Sequence, residues 1–155
     1  MKIRGSTSKF RKKPYKGKCI EKSALPAIDE FVVISSGKVR YSDTDRHGHV
    51  NNAVFSSFFE TGRVEIFYNE KRHLLCPNCS FVIASIKLDY LYEITWPGEI
   101  QMGTRITKIG RSSLNIQQGL YQNGKCTVLA ETVIVQVHDG TKESEALSDV
   151  VQRVV

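Results

Sequence analysis

The chain has 155 residues, of which 41% are apolar and 25% are charged, a balance that indicates one folded domain and excludes a disordered chain. Its formal net charge is +6, which alone would suggest a nucleic-acid or anionic-membrane partner. However, residues 1–20 carry eight Lys and Arg and no acidic residue, and this leaves 14 basic against 16 acidic side chains in the remainder. The excess charge belongs to an N-terminal segment, so the domain itself gives no support to nucleic-acid binding.

The sequence indicates neither a membrane-spanning helix nor an N-terminal export signal. No apolar run approaches the roughly 20 residues of a membrane-spanning helix, and no apolar stretch follows the basic residues as it would in a secretory signal. Four cysteines are scattered through a chain large enough to fold without disulfides, which favours reduced thiols and a cytoplasmic protein. We divide the chain into a flexible basic arm and linker, residues 1–28, and one domain, residues 29–155.

The first half of the domain predicts a strand, a loop and a long helix. Residues 31–41 are rich in β-branched and aromatic side chains, as strands are, and the turn-forming residues 42–52 predict a loop. From Ala53 to about Glu70 apolar residues recur at steps of three and four, the spacing of a helix. Gly62 lies inside this helix, where glycine is unfavourable, and this indicates a close approach of the helix to a sheet.

Four strands joined by short turns are predicted after the helix. They span residues 82–92, 99–109, 112–122 and 126–138. The dipeptide Asn123-Gly124 between the last two is a strong hairpin signal, and short connections require antiparallel pairing. One sheet around one buried helix would leave the outer sheet face uncovered, which predicts a homodimer or a larger assembly such as a tetramer.

The loop and the start of the helix carry a recognisable motif. The sequence RYSDTDRHGHVNNAVFSSFFETGR at residues 40–63 closely resembles hot-dog-fold acyl-CoA thioesterases of the 4-hydroxybenzoyl-CoA thioesterase type. Its D-x-D-x-x-G-H-V-N-N segment is also similar to plant acyl-ACP thioesterases. The resemblance extends over roughly residues 31 to 150. It implies an α+β hot-dog fold, with about five antiparallel strands around one long central helix, and hydrolysis of acyl-CoA thioesters to free acid and coenzyme A.

The resemblance also implies a catalytic carboxylate and an oxyanion site. It assigns the carboxylate to Asp45, which would attack the thioester carbonyl or activate a water molecule. It places the oxyanion donors on the backbone at Asn51, Asn52 and Ala53. The first N–H groups of a helix lack intrahelical partners, and the helix dipole favours negative charge there. Asparagine is also a good cap for a helix that begins at Ala53.

Further substrate contacts are implied for the loop and for a distant turn. Gly48 and Val50 belong to the loop motif, and His49 there either orients substrate or water or is bonded to the backbone. Arg111 and Ser112 occupy a turn where relatives bind the nucleotide end of coenzyme A, and the planar fork of arginine suits a phosphate. Coenzyme A is part of the substrate, so no separate cofactor is expected.

Two carboxylates compete with Asp45 for the catalytic role. Asp43 suits a capping or turn role that bonds local backbone N–H groups. Glu60 lies on the helix, and another branch of hot-dog thioesterases uses a helix carboxylate for catalysis. Because Glu60 and Arg63 are three residues apart on one helix face, they predict a structural ion pair instead.

The segment His73-x-x-Cys76-x-x-Cys79 contains metal-ligating residue types. A closed zinc site normally needs four ligands, and this segment supplies three, with Cys19 as a fourth only by chance placement. We therefore predict a connection between helix and strand, without a metal.

Two other functions stay open at the sequence level. The basic arm would suit an acidic acyl carrier protein, which favours an acyl-ACP thioesterase. The domain could also be a non-catalytic acyl-CoA-binding module whose arm binds an acidic partner. The intact loop motif favours catalysis over this second alternative.

Overall fold

A computed structural model describes residues 25–68 and 74–151. Its elements are β1 (Val33–Val39), α1 (Val54–Phe67), β2 (Cys79–Tyr90), β3 (Gly98–Ile109), β4 (Ser113–Gln122) and β5 (Lys125–His138). The strands form one antiparallel sheet in the order β1-β3-β4-β5-β2. This agrees with the predicted α+β architecture. Most of the predicted arm lies outside the described residues, so the division into arm and domain stays a prediction.

The last three strands follow their predicted bounds closely. Each of β3, β4 and β5 begins within one residue of the predicted position and ends at it. Between β4 and β5, Asn123 has φ 52° and Gly124 has φ 73°. Positive φ at both central residues is the geometry of a tight two-residue hairpin, which confirms the predicted turn.

The first strand after the helix, β2, differs from the strand predicted over residues 82–92 in its bounds and in the direction of some of its side chains. Its pairing with β5 shifts between Ile83 and Ser85, and such a bulge changes which side chains face the helix. Phe81 packs against the helix before the shift and Tyr90 after it. A simple alternation over the predicted strand, residues 82–92, therefore holds after the shift, where Leu88 and Tyr90 face the helix, and fails before it.

Two buried clusters between α1 and the sheet form the core. At the end of the sheet where α1 begins, the cluster includes Val39, Val50, Phe55, Phe59, Ile94 and Leu120. At the other end, it includes Ile66, Phe67, Leu74, Leu114, Ile134 and Val151. One face of the helix is buried along its length, whereas the opposite face, with Ser56, Glu60 and Val64, is exposed. The expectation of a helix buried on most sides is therefore wrong, and the first turn of the helix lies at one end of the sheet.

Helix α1 approaches the sheet closely at Gly62. A Cβ atom on Gly62 would lie 2.6 Å from Met102 Cε and 2.8 Å from Thr104 Oγ1. Both distances are below van der Waals contact, so only glycine fits without displacement of the sheet side chains. This confirms the close approach that the sequence indicates.

Replacing Gly62 with Val is expected to lower the free energy of unfolding by about 1–3 kcal/mol, because the added methyl groups overpack the core. Ser56→Val is the matched control, since it puts the same side chain on an exposed position of the same helix. Urea unfolding of both variants measures the difference. An equal change in the two would show that the helix does not pack tightly at Gly62.

The N-terminal residues 25–31 cover part of the outer face of the sheet. Phe31 lies over Gly103, whose neighbours in β3 face the helix, and its ring packs edge-on against Tyr121 with the centroids 6.2 Å apart. The Tyr121 hydroxyl donates to the Pro26 carbonyl oxygen at 2.5 Å. The expectation of an uncovered outer face is therefore wrong for this region. Residues 25–28, which the sequence assigned to the linker, pack on the sheet.

In the part of the chain that the structure describes, no helix is both long enough and apolar enough to cross a membrane.

Candidate functional site

The loop between β1 and α1 is a closed turn tied to the rest of the domain. The Asp45 N–H donates to the His49 carbonyl at 2.8 Å, and the Gly48 N–H donates to the Asp45 carbonyl at 3.1 Å. The Val50 N–H donates to the Ile94 carbonyl at 2.8 Å. Gly48 has φ 78°, a left-handed conformation that glycine adopts without steric cost. The backbone therefore holds the side chains of Asp45 and His49 in defined places.

The Asp45 carboxylate is exposed and held by one of its two oxygens. Oδ1 accepts the N–H groups of His47 at 2.7 Å and His49 at 3.3 Å. Oδ2 accepts no hydrogen bond from the described residues. The His47 hydrogen bond is the main cause that holds the pKa of Asp45 below its ordinary value. The side chain is thus ionised at neutral pH, with one oxygen fixed and the other available.

Asp43 has the structural role that its local position predicts. Its side chain is buried and accepts the Arg40 N–H at 2.8 Å and the Arg40 Nη2 group at 2.9 Å. Burial opposes ionisation, but the hydrogen bonds and charge of Arg40 outweigh it and lower the pKa of Asp43. Its carbonyl oxygen accepts the Asn51 N–H at 2.9 Å. Asp43 therefore joins the two ends of the loop.

Replacing Asp43 with Ala is expected to lower the free energy of unfolding by about 1–3 kcal/mol at neutral pH, because charge-assisted hydrogen bonds are lost. Since the folded-state pKa is lowered, this contribution is present above the unfolded-state pKa. It is lost as the pH falls through the folded-state pKa. Denaturant unfolding across pH measures it, with the exposed neighbour Ser42→Ala as control. If Asp43→Ala lowered the free energy of unfolding as much in acid as at neutral pH, the stabilising role of the ionised Asp43 carboxylate would be contradicted.

Asn51 closes the turn that precedes the helix rather than capping the helix as predicted, and the backbone N–H of Asn52 has no acceptor among the described residues. The Asn51 Oδ1 atom accepts the Ala53 N–H at 3.0 Å, and the Asn51 carbonyl accepts the Val54 N–H at 2.9 Å. The regular helix begins at Val54 rather than at the predicted Ala53, because this tight turn precedes it. The Asn52 N–H donates to no atom of the described residues, which leaves it available at the positive end of the helix.

A cleft of about 450 Å³ brings most of the predicted site residues together. Its lining consists of Asp45, His49, Val50, Asn52, Phe55, Tyr90, Leu91, Tyr92, Glu93 and Ile94. Gly48 and Asn51 belong to the same loop and shape its backbone. The His49 Nε2 atom lies 3.3 Å from the Glu93 carboxylate, a neighbour that the sequence did not indicate. Residues that carry a carboxylate, an imidazole and an unpaired backbone N–H therefore line one cavity.

The motif and this geometry agree with the comparison to known families. Residues 39–155, more than half of the chain, match the Thioesterase-like superfamily. The chain belongs to this superfamily. The narrower resemblance to the 4-hydroxybenzoyl-CoA type stays a prediction.

Individual proteins are similar to this chain, and two solved structures among them are described as thioesterases. The uncharacterized protein YsmA of Bacillus subtilis strain 168 is 32% identical over 117 residues, which cover 74% of this chain and 76% of YsmA. A thioesterase of Thermus thermophilus, crystallised with coenzyme A and Zn, is 30% identical with a TM-score of 0.70, and the match covers 80% of this chain and 97% of that one. A predicted thioesterase of Bacillus stearothermophilus is 28% identical with a TM-score of 0.68, covering 77% and 90%.

Arg111 and Ser112 lie far from the cleft within one copy of the chain. They follow the Ile109 end of β3, whereas the loop is tied to the chain that precedes the Gly98 end. At the usual rise per residue, a strand of this length spans roughly 35 Å. The structure does not bring these two residues together with Asp45. Their predicted contact with the nucleotide end of coenzyme A stays a prediction, one that fits a ligand held between subunits.

The predicted ion pair between Glu60 and Arg63 does not form among the described residues. Arg63 is only 6% exposed, and its Nη1 group donates to the Gln118 Oε1 atom at 3.1 Å. Burial lowers the pKa of Arg63. The close approach of the helix at Gly62 turns this side chain toward the sheet, where a buried amide accepts its hydrogen bond.

The segment that contains the possible zinc ligands His73, Cys76 and Cys79 is described in part. Cys76 and Cys79 are free thiols, and no group of three or more His, Cys, Asp or Glu among the described residues could hold a metal ion. His73 and Cys19 lie outside the described residues. The absence of a metal site stays a prediction.

Proposed function

We propose that the protein hydrolyses acyl-CoA thioesters to free acid and coenzyme A. One observation carries this proposal: an ionised carboxylate with a free oxygen, Asp45, shares a cleft with an unpaired N–H group, that of Asn52. The superfamily supports the reaction class. The coenzyme A bound by the Thermus thermophilus thioesterase supports the substrate class.

The geometry suits attack on a thioester carbonyl. The carbonyl oxygen would accept the Asn52 N–H, and the negative charge that develops on it would be stabilised by this donor and by the helix dipole. Asp45 Oδ2 would then attack the carbonyl carbon and form an anhydride, which water hydrolyses, or it would take a proton from an attacking water. In either route the C–S bond breaks, and the coenzyme A thiolate leaves and is protonated. His49 beside Glu93 would orient the substrate or the water.

A panel of acyl-CoA thioesters assayed for free thiol tests the proposal. We expect saturable release of coenzyme A with an optimum in acyl length. A single turnover in ¹⁸O-labelled water distinguishes the two routes, because only an anhydride at Asp45 can leave the label in the protein. Binding of the thioesters without any hydrolysis would overturn the proposal in favour of the binding module.

The acyl-ACP alternative rests on the basic residues 1–20 and is tested with the same assay. An acyl-ACP thioesterase would prefer the carrier-protein thioester, and deletion of residues 1–20 would remove this preference. If the ratio of acyl-ACP to acyl-CoA hydrolysis were the same before and after the deletion, residues 1–20 would not recognise the carrier protein.

We also propose that the protein acts as a homodimer or larger assembly. The edge strand β2 exposes Ile83, Ile86 and Tyr90 by 39–51%, and unpaired edges with apolar side chains favour association. The outer face around β4 is polar instead, with Lys87, Asn115, Gln117 and Glu131 along one shallow cavity. We therefore expect contact through the β2 edge rather than through the outer face. Sedimentation of the parent and of Ile86→Lys tests this, and an unchanged assembly would contradict it.

A further inference from the structure

The connection between α1 and β2 ends in a tight turn that brings two cysteines together. The Cys79 N–H donates to the Cys76 carbonyl at 3.3 Å, and Asn78, the third residue of the turn, has φ 56°. Pro77 stands at the second position, and proline followed by a residue with positive φ matches a type II turn. The Cα atoms at the two ends of a turn lie less than about 7 Å apart, and disulfides join Cα atoms about 4.4–6.8 Å apart. The backbone thus holds Cys76 and Cys79 at a separation that suits a disulfide.

The two thiols differ in exposure. Cys76 is partly exposed, whereas Cys79 is buried. Burial is the main cause that raises the pKa of the Cys79 thiol, and the neighbouring Cys76 adds to it. The accessible Cys76 is therefore the thiol that meets an external oxidant, because reaction needs both access and a thiolate. Cys79 is placed behind it as the second thiol.

The contacts around the turn would survive a bond between the two sulfur atoms. The Cys76 thiol donates to the Ala146 carbonyl at 3.7 Å, and a disulfide would remove this weak hydrogen bond. The same carbonyl accepts the Gln136 Nε2 group at 2.7 Å, and the Gln136 Oε1 atom accepts the Cys76 N–H at 3.2 Å. The buried Gln136 side chain therefore keeps both the turn and residue 146 in place when the thiol is consumed.

We propose that Cys76 and Cys79 form a reversible thiol–disulfide site that is oxidised by a low-molecular-weight disulfide. The Cys76 thiolate attacks one sulfur of that disulfide and forms a mixed disulfide, and the released small thiolate takes the proton that Cys76 gave up. The Cys79 thiol then attacks the Cys76 sulfur, and the second small thiolate leaves with the proton of Cys79. Two cysteine sulfurs are oxidised and one small disulfide is reduced to two thiols. The site is independent of the proposed hydrolysis, since neither cysteine lines the cleft of Asp45.

Glutathione buffers and mass spectrometry test this site in the full-length protein. Both cysteines lie in one tryptic peptide, residues 73–87. As the oxidised fraction of glutathione increases, this peptide is expected to lose two hydrogen atoms and to resist alkylation, and reduction should restore both thiols. A stable glutathione adduct on Cys76, or two alkylated cysteines in the most oxidising buffer, would overturn the proposal. Cys126→Ser removes a buried thiol outside the turn and is the matched control, which should be oxidised like the parent.

Substitution of Asn78 tests whether the turn prepares the pair for oxidation. Asn78→Val is expected to raise the ratio of oxidised to reduced glutathione at half-oxidation roughly tenfold, because a β-branched residue disfavours positive φ and opens the turn in the reduced protein. Asn78→Gly keeps the positive φ without steric cost and should match the parent. Equal ratios for the parent and Asn78→Val would overturn the role of the turn. Thermal unfolding of the reduced variants verifies that each is folded before the comparison.

Discussion

Replacing Asp45 with Asn is expected to lower kcat/KM for acyl-CoA hydrolysis by a factor of about 10²–10⁴, the range associated with a positioned acid or base. Asparagine keeps an oxygen that can accept the N–H groups of His47 and His49, which Asp45 Oδ1 accepts in the structure. The loop should therefore stay closed. The amide cannot attack the carbonyl or take a proton from water, so the chemical step alone is impaired.

The controls for this variant are stability and a matched substitution. Thermal unfolding should differ little from the parent, because Asp45 is exposed and both hydrogen bonds survive. Asp29→Asn makes the same chemical change at an exposed position remote from the loop and should hydrolyse at the parental rate. Parental activity in Asp45→Asn would show that another group, such as Glu60, is the catalytic carboxylate.

The pKa of Asp45 predicts how the hydrolytic activity falls as the pH is lowered. The pKa of Asp45 lies below its ordinary value of 3.8, chiefly because the His47 N–H stabilises the ionised form. Activity that needs this ionised form is therefore retained as the pH falls toward 3.8, and is lost only when the pH passes through the lowered pKa. An acid limb centred well above 3.8 in a stable protein would assign the loss to a different group.

The sequence predicted what depends on neighbours along the chain. Helical spacing located α1, the short turns located β3, β4 and β5, and the loop motif located the cleft residues around Asp45. The tight hairpin at Asn123 and the close approach at Gly62 were also predictable. Both features depend on a local requirement. The hairpin needs a positive φ at Asn123, and the close approach needs a residue without a side chain at Gly62.

The remaining features depend on pairing between distant segments, which periodicity does not report. The bulge near Ile83 is visible only against β5, and it reverses the predicted side-chain direction for the part of β2 that precedes it. Arg63 faces Gln118 rather than Glu60 because the helix lies close to the sheet. Glu93 reaches His49 only through the bridge that joins His49 to Thr95. The family motif indicated the loop that carries Asp45, but the length of β3 separates that loop from Arg111.

Asn52→Pro is expected to lower kcat by a factor of about 10²–10³, the usual cost of removing one oxyanion donor. Proline deletes the backbone N–H that the described residues leave unpaired, while the Asp45 carboxylate is untouched. The fold should tolerate the change, because Asn52 is the second residue of the tight turn that the Val54 N–H closes onto the Asn51 carbonyl, and proline is favoured at that position of a turn.

The matched variant Asn52→Ala separates the backbone donor from the side chain. Alanine retains the N–H group, so this variant is expected to keep most of the parental kcat, whereas proline loses it. Steady-state kinetics with one acyl-CoA, together with thermal unfolding of both variants, provide the comparison. If the two variants lose activity equally, the asparagine side chain rather than its N–H contacts the substrate. The helix N-terminus would then not be the oxyanion site, and the negative charge on the thioester oxygen would have to be stabilised elsewhere in the cleft.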